Sequence, residues 1–183
     1  MRRLVLAAAA IGVMVVAILF ATHRAPASAA SPPICGGFDF PVGPPDGTGY
    51  YDAQPFGKND HLGNDWNGNG GYDTDLGDPV HAASSGIVVE AKDHGGGWGN
   101  VIRIVHGCGI ESLYAHLDTI EVTVGATVPR GRRIGTIGTA GGQYLAHLHF
   151  ELRDRLLPLG GGYSTERSGY LDPTAYIRSH RQP

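Results

Sequence analysis

The amino-acid sequence predicts an all-β fold built mostly from antiparallel strands, and three observations carry that expectation. Short runs rich in Val and Ile recur between Gly, Asp and Asn residues, at the spacing of a sheet or barrel. The chain holds 29 Gly and 12 Pro in 183 residues, which favours turns and short strands over long helices. A helical start signal occurs only near the C-terminus. With 42% hydrophobic and 17% charged residues, the chain is long enough for one globular unit with its own core.

In chain order, "MRR" gives a positive start, Leu4 to Ala21 form an apolar run, and "APASAAS" offers small-residue cleavage sites after Ala29 or Ala30. Residues 1–30 are therefore expected to be an export signal, with an uncleaved membrane anchor as the alternative. The expected location is the periplasm or outside the cell, with membrane attachment only if this segment is retained. Without those residues the chain keeps 11 Lys+Arg against 17 Asp+Glu, an acidic balance that argues against nucleic acid as a partner. The two cysteines, Cys35 and Cys108, are expected to pair in an oxidising compartment; two buried thiols are the alternative. "PPIC" lacks the small residue that precedes a lipidated cysteine. A monomer is expected.

Residues 31–49 are Pro- and Gly-rich and read as a lead-in. "GIVVEA", "NVIRIVHG", "ESLYAHL", "IEVTVG" and "RIGTIG" read as strands, with "DHGGGWGN" as a hairpin connection between the first two. "AHLHFELR", residues 146–153, reads as another strand. Residues 50–155 are expected to form the principal domain, and residues 156–183 a C-terminal extension. In that extension "LDPTAYIRSH" has Asp172 at an N-cap and Pro173 at the first helical position.

The strand "AHLHFELR" raises the chemical question. Alternation puts Ala146, Leu148, Phe150 and Leu152 on one face and His147, His149 and Glu151 on the other. The apolar set reads as core; the histidines are either solvated or hold something. Upstream, "NDHLGNDWNG" places His61, Gly63 and Asp65 on one face if extended, the glycine leaving room for an ion between the other two. His61, Asp65 and His149 would offer two imidazoles and a carboxylate, a set that suits zinc with one position left for water. "SLYAHLD" adds His116 from a third segment. His116 and His147 would then remain uncommitted beside the metal, available for proton transfer or oxyanion stabilisation.

H-x-x-x-D, then Y-A-H-L, then H-L-H-F-E, in this order, resembles the lysostaphin/LytM-type zinc metalloendopeptidases, which cut peptide bonds in bacterial peptidoglycan. The likeness covers about residues 50–155 and includes "GDPVHAASSGIVVEA", "GGGWGNVIRIVHG" and "VGATVPRGRRIGTIG". It implies antiparallel sheets with an active-site groove and one zinc ion held by His61, Asp65 and His149. It also implies catalytic histidines at His116 and His147, and a peptidoglycan peptide as substrate. The stretch from Asp65 to Asp78 looks longer than in short family members. Two other readings stay open: relatives without catalysis that activate other wall hydrolases but lack some metal ligands, and a secreted protease acting on Gly-rich proteins.

Other motifs carry less. "DWNGNGGYDTDL" begins like a calcium loop, but Leu76 stands where a bidentate Glu is required. It reads instead as a polar loop beside the groove, in which Asp73, Asp75 and Asp78 could still bind an ion weakly. "VTVGATVPRGRRIGTIG" resembles a lipoyl or biotinyl carrier hairpin but has no lysine at its tip, and "GGGWGN" lacks the Gly-Lys-Ser/Thr of a phosphate loop. His81, His94, His106 and His180 have no partners at ligand spacing and read as structural or exposed. His94 and Trp98 sit in a loop that could line a groove, and Glu151 is either an orienting group for a histidine or a surface carboxylate.

Overall fold

The computed structural model of the chain describes residues 36–182. The expected export signal and Cys35 lie outside the described residues. The elements in order are β1 (Tyr50–Gln54), a 3-10 turn (Lys58–Asp60), β2 (Asn64–Gly68), β3 (Pro79–His81), β4 (Gly86–Asp93), β5 (Asn100–His106), β6 (Glu111–Leu117), β7 (Thr119–Ile120), β8 (Thr127–Val128), β9 (Arg133–Thr136), β10 (Leu148–Arg153), β11 (Tyr170–Leu171) and α1 (Pro173–His180). The larger sheet runs β1-β2-β10-β6-β5-β4-β8, with β11 added to β10, and the smaller runs β3-β9-β7. All pairings are antiparallel, so the predicted fold class holds.

Alternation along β10 divides the molecule into a core face and a polar face. Leu148, Phe150 and Leu152 point into the main apolar cluster with Trp66, Ile102, Ile104 and Tyr114, and each fully buried side chain of this kind contributes on the order of 1.5–3 kcal/mol. Phe38, Phe40 and Val42 of the lead-in and Ile177 of α1 belong to the same cluster. On the opposite face His149, Glu151 and Arg153 are also buried, because residues 157–162 fold back over them. Asp172 caps α1 as expected, its carboxylate accepting from Ala175 N at 3.1 Å, with Pro173 at the first turn.

Two expectations need correction. "IEVTVG" is a strand only as far as Ile120. Glu121 N still donates to Ile134 O (2.8 Å), but Thr123 to Ala126 then turn, with Gly125 at φ +85°. His147 precedes β10 and is held by a single bridge to Gly138 instead of by the ladder.

Candidate metal centre

Each histidine of the predicted set reaches the groove by a different local device. Asp65 on β2 and His149 on β10 are direct cross-strand partners. His61 lies just ahead of β2, tied by a bridge to Tyr163. Gly63, between His61 and Asp65, is needed for a reason other than the one expected. A Cβ there would sit 2.5 Å from Phe150 O, so the glycine lets the chain approach β10 and does not make room for an ion.

His116 depends on a break in alternation. Between Asn100↔Leu117 and Ile102↔Tyr114, β6 carries one more residue than β5, and His116 takes the left-handed conformation at φ +63°. Ala115 packs on the same side as Leu113, opposite the Tyr114 side, and regular alternation would send His116 into the main core. The bulge turns it towards His149 instead, with ring centroids 5.5 Å apart. His147 stands beside it at 4.7 Å. Gly138 joins the two: it bridges His147, and a Cβ on it would lie 2.5 Å from His116 O.

The tautomers follow from the hydrogen bonds. Nδ1 of His61, His116 and His147 faces backbone carbonyls of Gln54 (2.9 Å), Trp98 (3.4 Å) and Leu145 (2.8 Å) respectively. A carbonyl only accepts, so each Nδ1 carries the proton and each Nε2 keeps its lone pair. His149 has a carboxylate on each side, Nε2 lying 3.0 Å from Glu151 Oε1 and Nδ1 3.0 Å from Asp65 Oδ1, so both nitrogens can donate, and a cation bound at Nδ1 would leave the proton on Nε2.

His61 Nε2, Asp65 Oδ1 and His149 Nδ1 converge, separated by 3.0 Å (His61–His149), 3.3 Å (His61–Asp65) and 3.0 Å (His149–Asp65). Two imidazole nitrogens and a carboxylate oxygen this close call for positive charge among them, a proton in the empty site or a metal ion in the filled one. The edge of a tetrahedron with bonds of about 2.0–2.1 Å is about 3.3 Å, so the triangle fits a small tetrahedral cation. Among the described residues this is the one His/Cys/Asp/Glu group with metal-ligand spacing. The electrostatics agree. Burial opposes charge on His149, but hydrogen bonds to Asp65 and Glu151 outweigh it and raise the imidazole to about 9. Burial likewise opposes charge on Asp65, yet the His149 and His61 contacts hold its carboxyl well below the usual range. His116 is different: burial, then the nearby His149 and His147, push it down to about 3, so it is held neutral.

These residues open onto a groove of about 450 Å³ whose walls include Trp98, Tyr144, Gly161, Gly162 and Tyr163. Trp98, placed by the sequence in a loop that could line a groove, does line it, and its indole N–H donates to Gly160 O (3.2 Å). His94 does not; it turns to Glu90 at 3.1 Å. Glu151 is fully buried, not a surface carboxylate. Asp73, Asp75 and Asp78 do not converge at ligand spacing. They accept from Ala146 N (2.7 Å), Gly68 N (2.8 Å) and Tyr50 Oη (2.6 Å), which fastens the 69–78 loop beside the groove. His106 is structural, with Nδ1 on Ser85 O and Nε2 on Ser112 Oγ. The sequence reading missed Gly138, Arg153, Gln54 and Tyr163. Gln54 donates to Tyr163 Oη at 3.1 Å, a contact between distant positions with no motif to announce it.

Comparison with known proteins follows the same residues. The profile of "Peptidase family M23" matches residues 61–161. DD-carboxypeptidase/endopeptidase Mpg of Neisseria meningitidis is 36% identical over 104 residues, 55% of this chain and 24% of that protein. Peptidoglycan DD-endopeptidase ShyA of Vibrio cholerae is 39% identical over 84 residues, 46% of this chain and 19% of that protein. The chain thus spans about a quarter or less of these relatives. The catalytic domain of the antimicrobial peptidase lysostaphin from Staphylococcus simulans superposes with TM-score 0.51 at 30% identity, over 78% of this chain and 89% of that domain.

Proposed function

The chain belongs to peptidase family M23, and on that basis we propose that it is an exported zinc metalloendopeptidase that hydrolyses peptide bonds of bacterial peptidoglycan, in the stem peptide or a cross-bridge. One observation carries the reading: His61, Asp65 and His149 converge at 3.0–3.3 Å, with His116 and His147 free of that triangle on the same groove. Two imidazoles and one carboxylate leave a tetrahedral zinc ion one open position. When bound, zinc would supply Lewis acidity, making water nucleophilic near neutral pH and polarising the scissile carbonyl. Nε2 of His116 and of His147 each offers a lone pair, because Trp98 O and Leu145 O occupy the opposite nitrogens. One ring takes a proton from the attacking water and so becomes the acid that protonates the leaving amine. The other, once protonated from solvent, donates its Nε2–H to the developing oxyanion. The uncharged walls, with Trp98, Tyr144 and Tyr163, seat an extended peptide across the rings.

The activator reading expects an incomplete ligand set, and all five positions are filled here. Mass spectrometry of material released from purified peptidoglycan tests the choice. Fragments with new peptide ends, abolished by a chelator and restored by zinc, are expected. No fragments in either condition would favour an activator, and cleavage of Gly-rich proteins alone would redirect the substrate.

A further inference from the structure

Behind the metal triangle lies a line of buried charge that the proposed reaction does not use. Glu151 and Arg153 are both fully buried, and Glu151 shares itself between two partners. Its Oε1 is 3.0 Å from His149 Nε2, and its Oε2 accepts from Arg153 Nε at 2.7 Å. Arg153 in turn donates to the carbonyls of Leu157 (3.4 Å), Pro158 (3.4 Å) and Leu159 (3.2 Å), which lead into the Gly161–Gly162 wall of the groove. Glu111 approaches Arg153 at 3.6 Å and accepts from Leu157 N at 3.2 Å.

We infer that Glu151, backed by Arg153, is the positioning residue that fixes His149 in the tautomer presenting Nδ1 to the metal. The need is specific to this histidine. His61, His116 and His147 each have Nδ1 committed to a nearby backbone carbonyl, and that alone frees Nε2. His149 must turn the other nitrogen towards its ligand partners, so its Nε2–H needs an acceptor on the far side of the ring, inside the molecule. The alternation of β10 places residue 151 there. Arg153 pairs with that acceptor and occupies its second oxygen, leaving one oxygen for the imidazole.

The inference rests on the proposed metal site, so its test separates the two. Zinc affinity is measured by chelator competition on the mature chain and on the Glu151→Leu/Arg153→Met variant. This pair removes both buried charges together, which avoids stranding one of them. Glu151→Gln, which keeps an amide oxygen to accept from Nε2–H, is measured alongside. Nitrogen-15 spectra of the zinc-loaded wild-type chain report the His149 tautomer directly. The expected results are a proton on Nε2 of His149, zinc binding weakened about 10–100-fold in the double variant, and a smaller loss in Glu151→Gln. Wild-type affinity in a folded double variant, or a proton on Nδ1 of His149 in the wild type, would overturn the inference while leaving the metal site standing. If the double variant does not fold, the wild-type tautomer and the Glu151→Gln affinity still decide: a loss in Glu151→Gln beyond about 100-fold would mean that charge, not hydrogen-bond orientation, is what matters. Failure of the wild-type chain to bind zinc would instead overturn the metal site itself.

Discussion

Residue by residue, the histidines differ by what holds the nitrogen facing away from their function. His106 is the plainest case. Its Nδ1 donates to Ser85 O and its Nε2 meets Ser112 Oγ, a neutral arrangement, and burial pushes the ring down to about 4 from 6.5. The unfolded chain therefore binds more protons than the folded one between those two values. Stability from this group is fully present above about pH 6.5 and is lost as pH falls towards 4, by about 3 kcal/mol. Denaturant melts in chelator at pH 7.5 and 4.5 should show this loss, and His106→Gln, which cannot take up the proton, should flatten the difference. Sequence alone could name His61, Asp65, His116, His147 and His149, because residue type and motif order carry that information. It could not give their tautomers, which depend on carbonyls of Gln54, Trp98 and Leu145 brought near by folding.

Among the elements, the strands were legible where apolar residues alternate and illegible where the ladder is broken. β4 and β5 fall where Val/Ile-rich runs predict them, and β6 and most of β10 where Leu, Ala and Phe alternate with polar residues. The bulge at His116 was invisible, because a non-glycine residue at positive φ leaves no pattern, and it is the bulge that aims this ring at the groove. The start of β10 was misread by two residues for a related reason: His147 fits the alternation, but its backbone bonds to Gly138. Gly138 is the hinge of this arrangement. Added at that position, a Cβ would meet Asp118 N at 2.3 Å and His116 O at 2.5 Å, backbone atoms that cannot step aside cheaply. Gly138→Ala should cost about 1–3 kcal/mol in denaturant stability and lower turnover by moving His116 and His147 apart, while metal content stays near wild type. Unchanged turnover would show that their spacing is not critical.

At the scale of the whole molecule, one core joins the lead-in, the larger sheet and the terminal helix, since Phe38, Phe40, Val42 and Ile177 pack in the same cluster as β10. Composition predicted a core and its sheet, but the burial of a Pro- and Gly-rich lead-in has no periodic signature. Nor had the wall at residues 160–163, which lies beyond the stretch of recognisable motifs yet faces the metal triangle. Among the described residues no helix is long and apolar enough to cross a membrane. The proposed Cys35–Cys108 link would tie the lead-in to the β5–β6 turn. Intact mass after alkylation should find no modified thiols in unreduced, exported protein, and reduction should cost roughly 2–4 kcal/mol.

The central claim is a division of labour, in which His61, Asp65 and His149 hold zinc while His116 and His147 move protons. Zinc content by elemental analysis, measured beside turnover of purified peptidoglycan for single alanine variants, tests it most directly. His149→Ala should lose both zinc and turnover. His116→Ala and His147→Ala should keep about one zinc per chain and lose roughly 10²–10⁴ in rate. If His147→Ala loses zinc as completely as His149→Ala does, or retains near-normal turnover, the account is contradicted.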